Sequence, residues 1–190
     1  FGGDIRNLTI LLLLSLSYSA TLLVPSEYPT IQSAINAASD GDEVLVSAGT
    51  YVENITWPAT NGIKLIGSGE DDCIIDGNQQ GSVIRFEQDL GGIIDATTLI
   101  TGFTIQNGNA QDDNYGGGMY LNNSSPTLTD VTFSGNTAQS GGGMNLYYSN
   151  STLTDVTFSG NTADNYGGGM YLYYSNSTLT DVTFSGNTAQ

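Results

Sequence analysis

The sequence predicts an all-β solenoid, a parallel β-helix with a short capping α-helix near its N-terminus, on three observations. Nearly the same sequence motifs recur around Phe133, Phe158 and Phe184, at intervals of 25 and then 26 residues. Within each copy, apolar and polar side chains alternate in short runs, which is the period of a β-strand. Turn-forming Ser, Asn and Gly separate these runs, and no copy contains a stretch of helix formers. A unit of this kind is typical of one turn of a parallel β-helix.

Stacking of the copies should place equivalent residues directly above one another. One copy cannot bury enough apolar surface to fold alone, whereas stacked copies pair their backbones and share a continuous core. We therefore expect three structural ladders: methionines (Met119, Met144, Met170), phenylalanines (Phe133, Phe158, Phe184) and asparagines (Asn136, Asn161, Asn187).

The asparagines admit two interpretations. They could contact a ligand, but a turn Asn also tolerates the left-handed backbone conformation, and stacked amides can hydrogen-bond along the column. The second interpretation is favoured.

A leucine-rich-repeat horseshoe is the alternative fold. The run from Leu128 through Val131, Phe133 and Asn136 to Ala138 fits its template, and the period is in range. The other half of the repeat reads GGGMNLYYSNST, which is strand-like and glycine-rich. That half favours the β-helix.

The repeated motifs also resemble those of a known protein family. FSGN followed by GGGM, over Gly116 to Gln190, resembles the paired FxxN and GGA[ILV] repeats of chlamydial polymorphic outer-membrane proteins. That resemblance implies a β-helical passenger domain displayed at the cell surface. One departure is that the third small residue is Gly rather than Ala.

Composition restricts the class of protein further. The chain has 190 residues, 25 Gly, one Cys, no His and a formal charge of −16. This glycine-rich, strand-like composition fits one elongated domain better than a compact α/β enzyme. Three basic residues cannot neutralise a phosphate backbone, so nucleic acid is excluded as a natural partner.

Residues 1–20 are interpreted as a truncated signal peptide. An apolar run from Leu8 to Leu16 is too short to span a bilayer, and cleavage is expected after Ser19 or Ala20. A buried N-terminal strand is the alternative. Export then follows, with no transmembrane span expected in the chain. Cys73 has no partner and is expected to be a small buried hydrophobe.

The segment after the leader predicts a cap. Thr30 is a plausible N-cap for an amphipathic helix with Ile31, Ala34, Ile35 and Ala38 on one face, ended by Asp40-Gly41-Asp42. Such a helix would cover the unpaired edge and the apolar end of the solenoid.

Two short motifs in this region resemble the N-terminal segment of right-handed β-helix proteins of the pectin-lyase-like superfamily, including the NosD-like and pectinesterase-like groups. They are Tyr28-Pro29-Thr30-Ile31-Gln32-x-Ala34-Ile35 and Gly49-Thr50-Tyr51-x-Glu53. The resemblance implies the fold and the cap. It implies little about chemistry, because the superfamily spans esterases, lyases, hydrolases and non-enzymes.

The domain organisation follows from these signals. The β-helix is expected over 21–190, with the cap at about 24–42, irregular turns at about 43–101 and regular repeats at about 102–190 that continue beyond the chain. The irregular turns should contain short strands, which are Val44 to Val46, Thr50 to Val52, Ile63 to Ile66, Ile74 to Ile75, Val83 to Phe86, Leu99 to Thr101 and Phe103 to Ile105.

No catalytic residue is expected in the sequence. Pectin-degrading chemistry on this fold uses carboxylates with Arg, Lys or His, and basic residues are scarce here. Asp71-Asp72 and Asp112-Asp113 are the only adjacent Asp-Asp pairs, and solvated turn positions explain them. Arg85 should point outward and pair with a nearby carboxylate.

The tyrosines are the better candidates for a binding surface. Tyr120, Tyr147, Tyr171 and Tyr173 should lie on one outer side of successive turns. Such a strip could contact a sugar or a protein, or it could be a cross-strand ladder that stiffens the sheet.

No cofactor is expected beyond weak Ca²⁺ binding. Asp112, Asp113 and Asp164 are weak candidates, because their loops lack the alternating Asp spacing and terminal Glu of a dedicated site.

The sequence thus favours a secreted or surface-displayed, adhesin-like β-helix, at the cell surface or outer membrane. It would contact a glycan or a protein on a host or neighbouring cell, without catalysis in these residues. The alternative is the N-terminal part of a polysaccharide-active enzyme, or a carbohydrate-binding module.

Overall fold

The computed structural model of the protein describes residues 19–87, 94–111 and 116–190. Over these residues the chain winds into a right-handed solenoid of parallel strands, with one short helix near its beginning. The predicted fold is confirmed, and the horseshoe is wrong because three separate parallel sheets form the walls.

Sheet 1 is the longest wall. Its strands are β1 (Thr21–Val24), β2 (Glu43–Val46), β3 (Gly49–Val52), β5 (Lys64–Gly67), β6 (Cys73–Asp76), β8 (Leu99–Gln106), β11 (Thr127–Ser134), β14 (Thr152–Ser159), β17 (Thr178–Thr180) and β18 (Thr183–Ser185).

Sheets 2 and 3 complete the cross-section. Sheet 2 contains β4 (Ile55–Thr56), β7 (Ile84–Phe86), β10 (Met119–Asn122), β13 (Met144–Tyr147) and β16 (Met170–Tyr173). Sheet 3 contains β9 (Asn109–Ala110), β12 (Thr137–Ser140), β15 (Thr162–Tyr166) and β19 (Thr188–Ala189). The sequence prediction omitted sheet 3, because its inward residues are the small Ala138 and Ala163, a weak apolar signal.

Equivalent residues of successive repeats lie in register. Met119 pairs with Met144 and Met144 with Met170 along sheet 2. The rings of Phe133 and Phe158 stack at 4.9 Å between centroids, and Phe158 and Phe184 stack at the same distance. The apolar side chains therefore form continuous columns along the solenoid axis.

The corner after each phenylalanine depends on glycine and asparagine together. Gly160 has φ +62°, in the left-handed region, whereas the following Asn161 does not. The expectation that the asparagine itself takes the left-handed conformation is therefore wrong. Glycine occupies that position because it carries no Cβ, and this leaves the asparagine side chain free to point inward.

A second corner lies inside the long strands of sheet 1. Asp130 and Asp155 have φ +56° and +53°, which bends the strand so that Leu128 and Val131 both point into the core. The separate short runs expected on either side of this position are therefore one strand in β8, β11 and β14.

The glycine triplet forms the third corner, between sheets 3 and 2. A Cβ built on Gly143 would lie 2.5 Å from the carbonyl oxygen of Gly169 and 2.7 Å from the Phe158 ring. Alanine at this position would have to displace backbone, which explains why the third small residue here is Gly.

Helix α1 (Ile31–Ala37) covers the beginning of the column, as predicted. Thr30 is its N-cap and forms a capping box with Ser33, and Ile31 and Ile35 are buried. Helix α1 packs against β1, β2 and β4. It ends at Ala37, with Ala38 as its C-cap, before the predicted Asp40-Gly41-Asp42.

The Glu53 carboxylate accepts hydrogen bonds from the backbone N–H groups of Ile31 and Gln32, both at 2.9 Å. The two motifs of the predicted N-terminal segment are thus joined by direct hydrogen bonds.

The predicted signal peptide lies outside the described residues, apart from Ser19 and Ala20. The first strand, β1, begins at Thr21 and pairs with β2. Among the described residues, no helix is long and apolar enough to cross a membrane. Cys73 is buried and free, as expected, and burial raises the pKa of its thiol.

Candidate functional site

The outer face of sheet 2 presents two columns of side chains along the solenoid axis. In the first column Arg85, Tyr120, Asn145 and Tyr171 succeed one another from β7 to β16. In the second, Asn122, Tyr147 and Tyr173 do so. These side chains point outward because their neighbours in each strand fill the core.

A groove of about 390 Å³ lies along this face, between sheets 2 and 3. Its walls are formed by five tyrosines, two asparagines and a serine: Tyr120, Ser140, Asn145, Tyr147, Asn165, Tyr166, Tyr171 and Tyr173. All four tyrosines that the sequence singles out line this one groove.

Tyr166 is the groove residue that sequence reasoning missed. The last repeat reads TADNYGGGM where the preceding one reads TAQSGGGM, so it contains one additional residue. The register between β12 and β15 shifts at this point, and Tyr166 lies opposite Ser140. The change of period from 25 to 26 residues was the available signal.

The tyrosine rings are ordered in stacked pairs. Tyr147 and Tyr173 are parallel within 3° at 5.1 Å between centroids, and Tyr166 stacks on Tyr171 at 5.7 Å. Tyr147 and Tyr173 are 36% and 39% exposed and Tyr166 is 63% exposed, whereas Tyr120 is 9% exposed. The groove therefore has a buried floor residue and accessible aromatic walls.

A further stacked pair borders the groove. Tyr148 and Tyr174 stack at 4.9 Å, and Tyr148 stands edge-on to Tyr147, with 84° between the rings. Both residues have positive φ, +49° and +48°, at the turn that follows the sheet 2 strand. Asn123 takes the same conformation one turn earlier.

Two phenols of this aromatic cluster, Tyr148 and Tyr173, have raised pKa values. Electrostatic repulsion from Tyr174 raises the pKa of Tyr173, and hydrogen bonding to Tyr174 acts in the same direction. Burial raises the pKa of Tyr148, with smaller contributions from Tyr147 and Tyr174. These tyrosines are consequently neutral at physiological pH and offer ring faces and hydroxyl groups.

A smaller cavity of about 270 Å³ lies on the same sheet near the helix end of the solenoid, lined by Asn54, Ile55, Thr56, Gln80, Gly81, Ser82 and Arg85. The guanidinium of Arg85 contacts the Glu87 carboxylate at 2.6 Å, between the inward Ile84 and Phe86. The predicted outward orientation and carboxylate partner are confirmed.

Asp71 and Asp72, one of the two Asp-Asp pairs, are not among the residues that line the groove. Asp71 and Asp72 lie in the turn before β6, where the Asp72 carboxylate accepts from the Ser68 hydroxyl at 2.7 Å. Asp112 and Asp113 lie outside the described residues.

Asp164 accepts hydrogen bonds from the Gln111 side-chain amide at 3.2 and 3.4 Å. Over the described ranges, no group of three His, Cys, Asp or Glu side chains is placed to hold a metal ion.

Asn136 and Asn161 of the asparagine ladder are fully buried, and all three ladder residues are hydrogen-bonded. The Asn161 side-chain amide donates to the carbonyl oxygen of Phe133 at 2.9 Å and to Asn187 Oδ1 at 2.9 Å. Its own Oδ1 accepts from the backbone N–H and the side-chain amide of Asn136, both at 3.0 Å. These groups bind one another, which leaves the tyrosine groove as the candidate binding site.

Fold and groove together define a parallel β-helix with an aromatic groove on its outer wall. The model of the right-handed β-helix region matches residues 32–190. The chain belongs to this family.

Among solved structures, the chain is similar to a pectin methylesterase in complex with a hexasaccharide, with 13% identity and a TM-score of 0.50. The match covers 89% of this chain and 66% of that one. A pectin methylesterase from Erwinia chrysanthemi matches with 14% identity and a TM-score of 0.44, over 77% of this chain and 55% of that one. No curated protein matches the sequence at a significant level.

Proposed function

We propose that this protein is a secreted or surface-displayed β-helix that binds glycans through the tyrosine groove. The observation that carries the proposal is the convergence of five tyrosines on one groove, four of them in two stacked pairs. Sugar rings have apolar C–H faces that pack on aromatic rings, and tyrosine hydroxyls and asparagine amides can bond sugar hydroxyls.

The spacing of the rings suits a linear oligosaccharide. Parallel strands are about 4.8 Å apart, so each turn of the solenoid offers another aromatic platform along the axis. The pair Tyr147–Tyr173 follows the axis along sheet 2, and the pair Tyr166–Tyr171 joins sheet 3 to sheet 2 within one turn.

The role we propose for the groove is binding without chemical conversion. The side chains in its walls are phenols, amides and one hydroxyl. Raised pKa values keep Tyr173, and its neighbour Tyr148, protonated, so they serve poorly as general bases at neutral pH. The role is adhesive or structural, as the sequence suggests.

Export is part of the proposal. The apolar run from Leu8 to Leu16 supports a leader, and β1 begins at Thr21, directly after the expected cleavage site. Expression in a secreting host should release a product that begins at Ala20 or Thr21, as read by N-terminal sequencing. A product that retains the apolar run would contradict export.

The binding experiment uses the full chain on a glycan array, followed by isothermal titration calorimetry with the glycans retained. Replacing Tyr147, Tyr171 and Tyr173 by Ser should reduce binding at least tenfold, at about 1 kcal/mol or more for each lost ring contact. The inward Met, Leu and Phe columns are unchanged, so the far-UV circular dichroism spectrum should be retained.

Tyr174→Ser is the matched control, because Tyr174 is 69% exposed and does not line the groove. A second triple variant, with Leu at the same three positions, keeps apolar bulk and removes only the flat rings. Unchanged binding in both triple variants would contradict the proposal. Degradation of a bound glycan would instead favour the polysaccharide-active enzyme.

A further inference from the structure

The turn after the last two strands of sheet 2 carries exposed tyrosines that the groove does not use. Tyr148 and Tyr174 stack on one another at 4.9 Å, are 47% and 69% exposed, and are not among the residues that line the groove. Each is followed two positions later by an exposed asparagine, Asn150 or Asn176. Both asparagines begin the triplet Asn-Ser-Thr, which is the acceptor pattern for N-linked glycans on surface loops of secreted proteins.

The hydrogen bonds of this turn do not require asparagine. The Asn150 Oδ1 atom accepts from the backbone N–H of Asn176 at 2.6 Å. One turn earlier Ser125 occupies the equivalent position, and its hydroxyl accepts from the backbone N–H of Asn150 at 2.8 Å. Because a serine oxygen makes the same bond, the amide group of Asn150 is not explained by the architecture of the turn.

The tyrosines and the triplet occur together. The two copies that contain Asn-Ser-Thr carry two tyrosines shortly before it, whereas the copy with Ser125 carries Asn122 and Asn123 in their place. Residues two positions apart are separated by at most about 7 Å along the backbone. A sugar attached to Asn150 therefore begins within reach of the Tyr148 ring, and aromatic rings pack on the apolar C–H faces of sugars.

Other asparagines with the same triplet pattern are less suitable. The side-chain amide of Asn54 donates to two backbone carbonyl oxygens of the next turn, and that of Asn123 donates to the neighbouring side chain at 2.8 Å. Within the described part of the chain, the Nδ2 atoms of Asn150 and Asn176 donate no hydrogen bond, and both residues are exposed. The remaining triplets begin at Asn122, which is half-buried in β10, and at Asn7, in the expected leader.

We propose that Asn150 and Asn176 are sites of N-linked glycosylation and that the attached oligosaccharide packs on the exposed rings of Tyr148 and Tyr174. The donor is an oligosaccharide on a polyprenyl diphosphate, used by a membrane oligosaccharyltransferase. A bond forms between Nδ2 and the anomeric carbon, the bond from that carbon to the diphosphate oxygen breaks, and the amide loses one proton as the lipid diphosphate leaves. The Oδ1 atom is unchanged, so the hydrogen bond between the two turns is retained.

This inference rests on export, which is part of the proposed function, and not on ligand binding in the groove. The test is secretion of the full chain from a eukaryotic host, followed by mass-spectrometric peptide mapping with and without peptide N-glycosidase. We expect glycans on Asn150 and Asn176 and none on Asn54. Asn150→Gln should lose only its own glycan. Thr152→Ala should also abolish modification of Asn150, whereas Thr152→Ser should retain it, because serine keeps the hydroxyl of the triplet.

Thermal unfolding tests the contact with the tyrosines. The secreted protein should melt at a higher temperature than the same chain from a bacterial host that does not glycosylate. This difference should disappear when Tyr148 and Tyr174 are both replaced by Ser, since the sugar then has no ring face to pack on. Tyr51→Phe, in sheet 1, is the control and should leave the difference unchanged.

Each other outcome contradicts a stated part of the inference. A secreted chain that is unmodified at both Asn150 and Asn176 overturns it and leaves export and the groove unaffected. Equal occupancy at Asn54 also overturns it, because the triplet alone would then direct the modification. A difference in melting temperature that survives the loss of both tyrosines overturns the packing of the glycan on their rings. A chain that is not secreted refutes export and this inference with it.

Discussion

The regular repeats and the irregular turns that precede them reach the same architecture by different means. From Gly102 onward, the asparagines of the ladder are bonded to their own copies in the adjacent turns, as Asn161 is to Asn136 and Asn187. Before that point, the hydrogen bonds of the polar side chains are not repeated from turn to turn. Glu53 binds the first turn of the helix, and Asp42 accepts from the backbone N–H groups of Ala20 and Ser39.

The difference shows where the solenoid can carry a function. Where the copies are identical, their polar side chains hydrogen-bond to one another along the column. The groove lies where the copies cease to be identical, since one additional residue in the last repeat places Tyr166 opposite Ser140. The stacked columns form the rigid wall of the groove, and the inserted residue determines the shape of the groove.

The largest effect should come from the centre of the phenylalanine ladder. Phe158 is fully buried and stacks on rings both above and below, so Phe158→Ala should cost about 3–5 kcal/mol of the free energy of unfolding. Phe184→Ala removes the same ring from a position that is 49% exposed and should cost clearly less, about 1–2 kcal/mol. Urea denaturation followed by circular dichroism measures both. Equal costs would mean that the ladder does not act through its two-sided stacking.

The asparagine ladder should give the next largest effect. Asn161→Ala leaves buried partners in the adjacent turns without their hydrogen bonds, at about 1–3 kcal/mol for each unsatisfied group. We expect a total cost of about 2–4 kcal/mol, larger than that of Asn187→Ala, where fewer partners are buried. Asn161→Asp is the informative comparison, because a carboxylate accepts hydrogen bonds but cannot donate to the Phe133 carbonyl. If Asn161→Ala were neutral, the ladder would be incidental to stability.

Much of the regular region could be predicted from the sequence because its signal is repeated. The inward phenylalanines and methionines and the outward tyrosines follow from alternation alone. The third sheet could not be predicted in this way. Ala138 is its only fully buried apolar residue in that repeat, and the segment Thr-Ala-Gln-Ser has no strong apolar alternation. The bend at Asp130 was also missed, because aspartate enters the left-handed region only with the support of its surroundings.

The candidate site was predictable in part. Outward orientation placed Tyr120, Tyr147, Tyr171 and Tyr173 on one wall, and the structure adds the groove that joins them. Tyr166 belongs to a different sheet, and only the three-dimensional path of the insertion brings it to that wall. Contacts between sheets depend on corner geometry, which the alternation within a strand does not encode.

The smallest of the three effects is a pH dependence of stability, which should distinguish the irregular turns from the regular repeats. Asp76, in the irregular turns, is partly buried, which opposes ionisation. Hydrogen bonds from Gln106 at 2.9 Å, the Asn78 backbone N–H at 2.8 Å and Asn107 at 2.7 Å outweigh this and lower the pKa of its carboxyl. The asparagine ladder of the regular repeats contains no titratable group, so its stability should not depend on pH.

For Asp76 the sign follows from linkage. Its folded pKa lies below the ordinary value of about 3.9, so its contribution is complete above that pH and is lost as the pH falls through the folded pKa. Asp76→Asn should therefore cost about 1 kcal/mol at neutral pH, a modest figure because the site is partly solvated, and progressively less in acid. Urea denaturation at neutral pH and below about pH 3 measures the difference, with the variant at low pH as its own control. A cost that stayed constant down to the acid limit would mean that Asp76 acts through shape and not through its charge.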